Sequence, residues 1–394
     1  MSGSACFASL GYSNEYVIRA IKEQLEAIPH AFAGLGTSDA AEKAADLISR
    51  PLEKANPGWF GKCLFQQGGG ETVDLACKLA AQYHLEKEQN HRQRFAALEF
   101  SYHGVGLLPF SLSGGYPRYA LIDPYHGVTN NCVSRLAHPI ISNTQDRTKE
   151  IIYSEKLAAV IIEPIGGPPL GACPLPGWYI KKLHQLCDDT DTLLIFDEIL
   201  CGAGRCGYMS MTEYYDVWPD ILLLGKGLTS GYQPMSAIVV SKKVCDRIKQ
   251  GSGTIMFGTC YANHTTGCAA VAATLEYCYQ HALFEVVRQN GEFIHKLLSQ
   301  AFQQPKFQIR GRGHLWGIEL RHPDATYFQP STQFHMKARK AILDAGAIVY
   351  SKGQTVNGKG DFITLAPMYE MTHAVMEMGV EIIAEGLKNA YQGV

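Results

Sequence analysis

The chain has 394 residues, with 35 lysines and arginines against 37 acidic residues and a formal net charge of -2. That balance gives no basic field for nucleic acid and no acidic tail, and leaves small molecules as the expected ligands. At this length one large domain and one smaller one are expected.

Twelve cysteines lie between Cys6 and Cys278 with no C-x-x-C pair, so neither a zinc site nor a secreted disulfide framework is expected. The amino terminus, MSGSACFASLGYSNEY, lacks the basic-then-apolar order of a signal peptide, and no apolar run reaches the length of a membrane span. A cytoplasmic protein without metal, membrane or nucleic-acid partner is the expectation.

Taken in order, residues 14–28 place Val17, Ile21 and Leu25 at helical spacing. A second helix is expected from Asp39, with Asp39 as cap and Glu42 three residues on, ending before Pro57. Cys63-Leu64-Phe65 reads as a short strand running into Gln66-Gln67-Gly68-Gly69-Gly70 and a helix over 71–84. Strand, glycines and helix offer backbone N–H groups and a positive helix end to a phosphate. Neither common nucleotide fingerprint fits, so at this point the glycines read equally as a plain turn.

Phe95 to Phe100 is a predicted strand ending in Ser101-Tyr102-His103-Gly104, at the carboxyl end where open α/β sheets place ligands. Tyr102 either stacks on a planar ligand or is a boundary residue with its hydroxyl in water. From Gly114 to Thr148 periodicity is poor and irregular surface is expected. Ala158–Ile162 is a buried strand closed by Glu163-Pro164, and a helix over 178–187 leads to the strand 193–196. A strand-helix-strand unit crosses right-handed, so Glu163 and Asp197 are expected on one sheet edge.

The stretch LLIFDEILCGAGRCGYMSMTEYYDVWPDILLLGKGLTSG follows, from Leu193 to Gly231. One apolar strand ends in Asp197 and Glu198; another stops at Gly225-Lys226-Gly227. A lysine between glycines at a strand end is either a turn residue in water or an amine kept nucleophilic by desolvation. Beyond it come a strand over 237–240, a helix from Lys242, the junction FGTCYANH and a helix over 267–280. A long helix from Leu283 to about Phe302, strands at 307–309, 315–320, 347–350 and 362–365, and helices over 332–345 and 372–391 predict a smaller α+β domain.

Together, the glycine junction at Gly69-Gly70, aromatic Tyr102, acidic Asp197 with apolar Ile199 beside it, and lone Lys226 suit pyridoxal 5'-phosphate. A lysine amine condenses with its aldehyde, an acid keeps its pyridine nitrogen protonated, and apolar and aromatic side chains enclose its ring.

The motifs are specific enough to resemble a family, the class III pyridoxal-phosphate aminotransferases of fold type I, or omega-aminotransferase group. DEILCGAGRCG is similar to the family's D-E-[VI]-x-x-G-x-G-R-x-G, and Lys226 stands at the position of its Schiff-base lysine after PDILLLGKGL. GGGETVDLACKLA resembles the S-G-S-E-A phosphate segment, Ser101–Gly104 the S-Y-H-G element, and residues 162–171 the E-P segment. IRGRGHLWGIEL and ITLAPM resemble small-domain elements, and nearly the whole chain from about Phe7 is covered.

The resemblance implies an α/β fold with a mostly parallel central sheet flanked by helices, plus a smaller α+β domain. Residues 1–35 would pack with the small domain, 36–280 form the large cofactor-binding domain, and 281–394 the small one. It implies a ping-pong transaminase that uses an internal aldimine and pyridoxamine phosphate to move an amino group from an amine or amino acid to a 2-oxo acid. Lys226 and Asp197 would be catalytic. Gly69 and Gly70 would hold the phosphate, Tyr102 and Ile199 the ring faces, and Asp197 the pyridinium. His103 either contacts the cofactor region or hydrogen-bonds structurally. A homodimer with the site at its interface is implied, a threonine of the second subunit reaching the phosphate; that position here is Cys260, beside Thr259.

Departures from the pattern bear on the expectations. Gly70 replaces a serine or threonine, Leu200 a glutamine, and Thr364 an arginine that grips α-carboxylates. The last favours an amine or ω-amino acid donor. The chain also starts late relative to typical members, without a segment that helps wall the substrate pocket. The family's decarboxylating, isomerising and lyase members, and a catalytically idle relative, are the alternatives. Glu198 reads as structural, Arg205 either as a salt-bridge partner fixing the turn or as a ligand contact, and Glu163 as a non-catalytic partner of an arginine.

Overall fold

Alternation of side chains along the strands builds the large half of the molecule. The computed structural model describes residues 1, 3–114, 132–142, 145–167, 170–356, 359–392 and 394. In chain order the strands of this half are β1 (Phe60–Gln66), β2 (Phe95–Leu98), β3 (Val133–Leu136), β4 (Ala159–Ile162), the two-residue β5 (Ile165–Gly166) and β6 (Cys173–Pro174), β7 (Leu193–Glu198), β8 (Ile221–Leu224) and β9 (Ser236–Ser241). Seven of them form one sheet in the order β1-β9-β8-β7-β4-β2-β3. Strand β9 runs antiparallel to both neighbours; the others are parallel.

The central strands are apolar without interruption because both faces are covered. Ile161, Ile195 and Leu223 pack toward the helix Gly69–Leu85, and Ile162, Phe196 and Leu224 toward the helix Gly177–Asp189. Each such side chain, fully buried, contributes roughly 1.5–3 kcal/mol. All parallel strands end on one side, and Asp197 and Lys226 lie at that side.

The small half is an antiparallel sheet of β10 (Phe307–Arg312), β11 (Leu315–Leu320), β12 (Tyr350–Val356) and β13 (Lys359–Leu365), in the order β10-β11-β13-β12. Helices Leu283–Ala301, Phe334–Asp344 and His373–Ala390 cover it through Leu298, Ile342 and Ile383. Of the first thirty-odd residues, Met1 accepts from Ala366 N at 2.8 Å and Ser9 from Tyr369 N at 2.7 Å through their carbonyls. Helix Glu15–Ala27 lies on helix Thr265–Gln280.

Some local expectations are corrected. Ser38, not Asp39, caps the second helix, its Oγ accepting from Ala41 N at 3.2 Å. Strand β3 lies in the stretch expected to be irregular; Ser134 and Arg135 interrupt its apolar pattern, and it is recruited by pairing with β2. Strand β12 begins at Tyr350, where a strand was expected to end, since an edge strand tolerates polar Ser351 and Lys352. Residues 115–131 and 143–144 of the irregular stretch, and Pro168 and Pro169, lie outside the described residues.

Candidate active site

A cavity of about 340 Å³ opens at the carboxyl ends of the strands and is lined by Gly69, Gly70, Tyr102, His103, Glu163, Asp197, Ile199, Leu200 and Lys226, among others. Strand parity explains the acids. Asp197 and Glu198 are adjacent in β7, so they point to opposite faces. Asp197, 4% exposed, faces the cavity, accepting from His103 Nδ1 at 2.7 Å and from Ile199 N at 3.2 Å. Glu198 points away and accepts from Ser210 Oγ at 2.7 Å and Met211 N at 2.8 Å; burial raises its carboxyl to about 8.

Parity stops at Leu224, and a turn directs Lys226. Gly225 is extended, and Lys226 has φ +42°, a left-handed conformation that a residue with a Cβ adopts only under restraint. Strand β8 pairs in register with β7, Asp197 opposite Leu223, which brings the lysine turn beside the aspartate.

The helix Gly69–Leu85 starts at the cavity wall with Gly68 as cap and no side-chain capping bond. Its first N–H groups and positive end face an anion-sized space. At position 69 a Cβ would stand 3.1 Å from Ile199 Cδ1, so that side chain would have to give by a few tenths of an ångström. At Gly70 a Cβ would meet Gly104 Cα at 3.5 Å, an ordinary contact. The glycine there is not required by space.

Glu163 was read as outside the chemistry, yet it lines the cavity. Its Oε2 accepts from Tyr102 N at 2.8 Å and its Oε1 from Gly167 N at 3.1 Å. Burial raises its carboxyl to about 7, with Asp197 adding and His103 opposing. No arginine bonds it among the described residues. The available signal was that Glu163, like Asp197, closes an apolar strand of the same sheet. Phe7, Thr229, Gln233 and Ser236 also line the cavity and carried no sequence signal.

Thr259 and Cys260 do not line this cavity. Thr259 Oγ1 donates to Gln66 Oε1 at 2.8 Å, and exposed Cys260 offers its carbonyl to His30 Nε2 at 3.1 Å. Thr364 is buried on β13, away from the cavity wall.

The donor set fits a flat, phosphorylated, cationic ring. Uncapped N–H groups and a buried carboxylate both line the cavity. His103 Nε2 is buried without a partner among the described residues, and the other lining is largely apolar and aromatic.

The family described as class-III aminotransferase matches residues 1–387. The uncharacterized aminotransferase YodT of Bacillus subtilis (strain 168) is 34% identical over 400 residues, covering 98% of this chain and 89% of its own. An omega-aminotransferase of Caulobacter vibrioides is 29% identical over 335 residues, covering 80% and 73% respectively. The structure of an amine transaminase from an uncultivated Pseudomonas species, in its PLP-bound form, superposes with a TM-score of 0.86 at 24% identity, covering 98% of this chain and 90% of that one. This last likeness shows the fold.

Proposed function

The chain belongs to the class-III aminotransferases, and from that premise we propose how its own residues carry the reaction. It is a pyridoxal 5'-phosphate-dependent transaminase, moving an amino group from an amine or amino acid to a 2-oxo acid. Bound pyridoxal 5'-phosphate supplies an aldehyde that takes up amines and a ring that accepts the electrons released at the substrate carbon.

Gly69 and Gly70 would hold the phosphate through their N–H groups, and Tyr102 and Ile199 would hold the ring. Asp197, oriented by His103, would accept from the pyridine N–H and favour its protonated form. Lys226 would hold the cofactor through its Nζ, and its amine is the group in the cavity placed to take a proton from the substrate carbon and return it. Glu163 holds Tyr102 and the turn at Gly167 in place through their N–H groups. Two half-reactions at one site give ping-pong kinetics.

The observation that carries these roles is that Asp197, near the end of β7, and Lys226, in the turn that follows the neighbouring parallel strand β8, share one cavity with the uncapped glycine end of a helix. Lys226→Ala tests it: turnover should vanish and borohydride should no longer fix the cofactor to the protein, and turnover at an undiminished rate refutes the assignment.

The donor, in this reading, is an amine or ω-amino acid. Support comes from Thr364 in the position of a carboxylate-gripping arginine, and from Lys226 as the cation of the described cavity wall. Mixing the holoenzyme with a panel of amines, ω-amino acids and α-amino acids, and following loss of the visible band, ranks them; α-amino acids reacting fastest would overturn the preference.

A homodimer follows, in which Cys260 and Thr259 of one subunit serve the phosphate of the other. Their position outside their own cavity and the exposure of Cys260 support it. Light scattering at micromolar concentration tests it. Residues 1–35, 36–280 and 281–394 are assigned as N-terminal part, large domain and small domain, supported by the separate hydrophobic cluster over the small sheet. A cytoplasmic site of action is supported by twelve unpaired cysteines, as a reducing compartment maintains them. No helix among the described residues is long and apolar enough to cross a membrane.

A further inference from the structure

Arg205 lies in the glycine turn between Asp197 and Lys226 and is 1% exposed. A buried cation normally sits against a carboxylate. Among the described residues no acid pairs with it. Its Nη1 donates to Pro367 O at 2.6 Å and, more weakly, to His314 O at 3.4 Å; its Nη2 donates to Cys6 O at 3.2 Å. The guanidinium also lies 5.0 Å from the centre of the Tyr369 ring.

These partners come from three separate places: the β10–β11 turn, the turn after β13, and the amino-terminal segment. Two of them lead back to Lys226. From Cys6 the chain runs to Ser9, whose Oγ donates to Gly227 O at 3.3 Å, and to Leu10, whose N–H donates to Ser230 Oγ at 2.8 Å. Tyr369 donates its N–H to Ser9 O at 2.7 Å and its hydroxyl to Ala203 O at 2.9 Å. Its Oη stands 3.3 Å from where a Cβ on Gly227 would be.

The turn so gripped is held in an unfavourable backbone conformation at both ends, with φ +42° at Lys226 and +53° at Ser230. Such a conformation persists only when its surroundings over-determine it. The contacts from Ser9, Leu10 and Tyr369 are those surroundings, and Arg205 anchors the strap that delivers two of them.

We propose that Arg205 is a positioning residue for Lys226: through the Cys6–Leu10 strap and Tyr369 it locks the 226–230 turn and thereby aims the lysine amine into the cavity. The inference rests on reading Lys226 as the cofactor-bearing lysine. Arg205 touches neither substrate nor cofactor. Its effect is on the geometry of the group it holds, beyond a brace between the two halves of the molecule.

The test compares full-length holoenzymes carrying Arg205→Lys, Arg205→Met and the double change Ser9→Ala with Ser230→Ala, which leaves the buried arginine intact. The pH midpoint of the visible absorbance, kcat, amine KM and melting temperature are measured for each. Arg205→Lys and the double variant should lower kcat by about tenfold or more while changing KM less than about threefold, and should shift the midpoint by about half a pH unit or more. Arg205→Met should exceed Arg205→Lys in both; if it fails to fold, the double variant decides. A lowered melting temperature with unchanged midpoint and kcat in Arg205→Lys and in the double variant overturns the proposal and leaves only a brace. Cofactor still fixed to the Lys226→Ala protein by borohydride, read by intact mass, overturns the underlying reading of Lys226 instead, so the two failures are distinguishable.

Discussion

Asp197→Asn isolates the charge at the base of the cavity. The amide has nearly the volume of the carboxylate, and its oxygen can still accept from His103 Nδ1, now 2.7 Å from Asp197 Oδ2. Packing is therefore preserved and the negative charge is removed. Asp197 is 4% exposed, so water screens it little. At a charge separation of about 4 Å and an effective dielectric of about 20, the attraction to a protonated ring nitrogen is about 4 kcal/mol. Losing it during the proton-transfer step slows that step by roughly a thousandfold. The assay is a single-turnover half-reaction with a saturating amine, in which decay of the visible band is timed by stopped flow. Melting temperatures of apoenzymes, measured in parallel, report folding. A rate within about tenfold of the unaltered protein, with the band intact, would refute the assignment of Asp197 as the ring's counter-charge.

The raised carboxyls of Glu163, at about 7, and Glu198, at about 8, give a pH signature. Both folded values exceed the unfolded one, so their stabilising effect is complete below pH about 4.5 and is lost as pH rises through 7 to 8. The loss is on the order of 3 kcal/mol for Glu163 and 5 kcal/mol for Glu198. The melting temperature of the apoenzyme should therefore fall across this window from these groups, and Glu198→Gln should flatten the fall; parallel curves for the two proteins would contradict it. At the phosphate end, Gly69→Val should weaken cofactor retention by about tenfold or more, because the branched side chain drives into Ile199. Gly70→Ser meets only ordinary contacts and adds a hydroxyl donor, so it should slow cofactor loss during dialysis. Equal retention by all three proteins would argue against a phosphate at this helix end.

Much of the site was legible along the chain because its key residues mark strand ends. Lys226 stands between glycines after ILLL, Asp197 closes LLIF, and Gly69-Gly70 open a helix. Each combines a local periodicity with a residue that breaks it, and such signals survive without knowledge of distant neighbours. The two adjacent carboxylates could also be separated by the period of a strand alone, once β7 was known to extend through Glu198.

Tertiary structure alone decided what depends on contacts between segments far apart in the chain. Glu163 enters the cavity because its carboxylate is drawn to the N–H groups of Tyr102 and Gly167. Strand β3 exists because β2 offers it a ladder, and the antiparallel direction of β9 is a matter of pairing. Arg205 looks like a turn arginine in sequence; only the folded chain brings the carbonyls of Cys6, His314 and Pro367 around it. Local sequence determined which side chains end the strands and the chemistry they carry. The packing of remote segments decided where those side chains point and what holds them, since hydrogen bonds across hundreds of residues leave no periodic trace in the sequence.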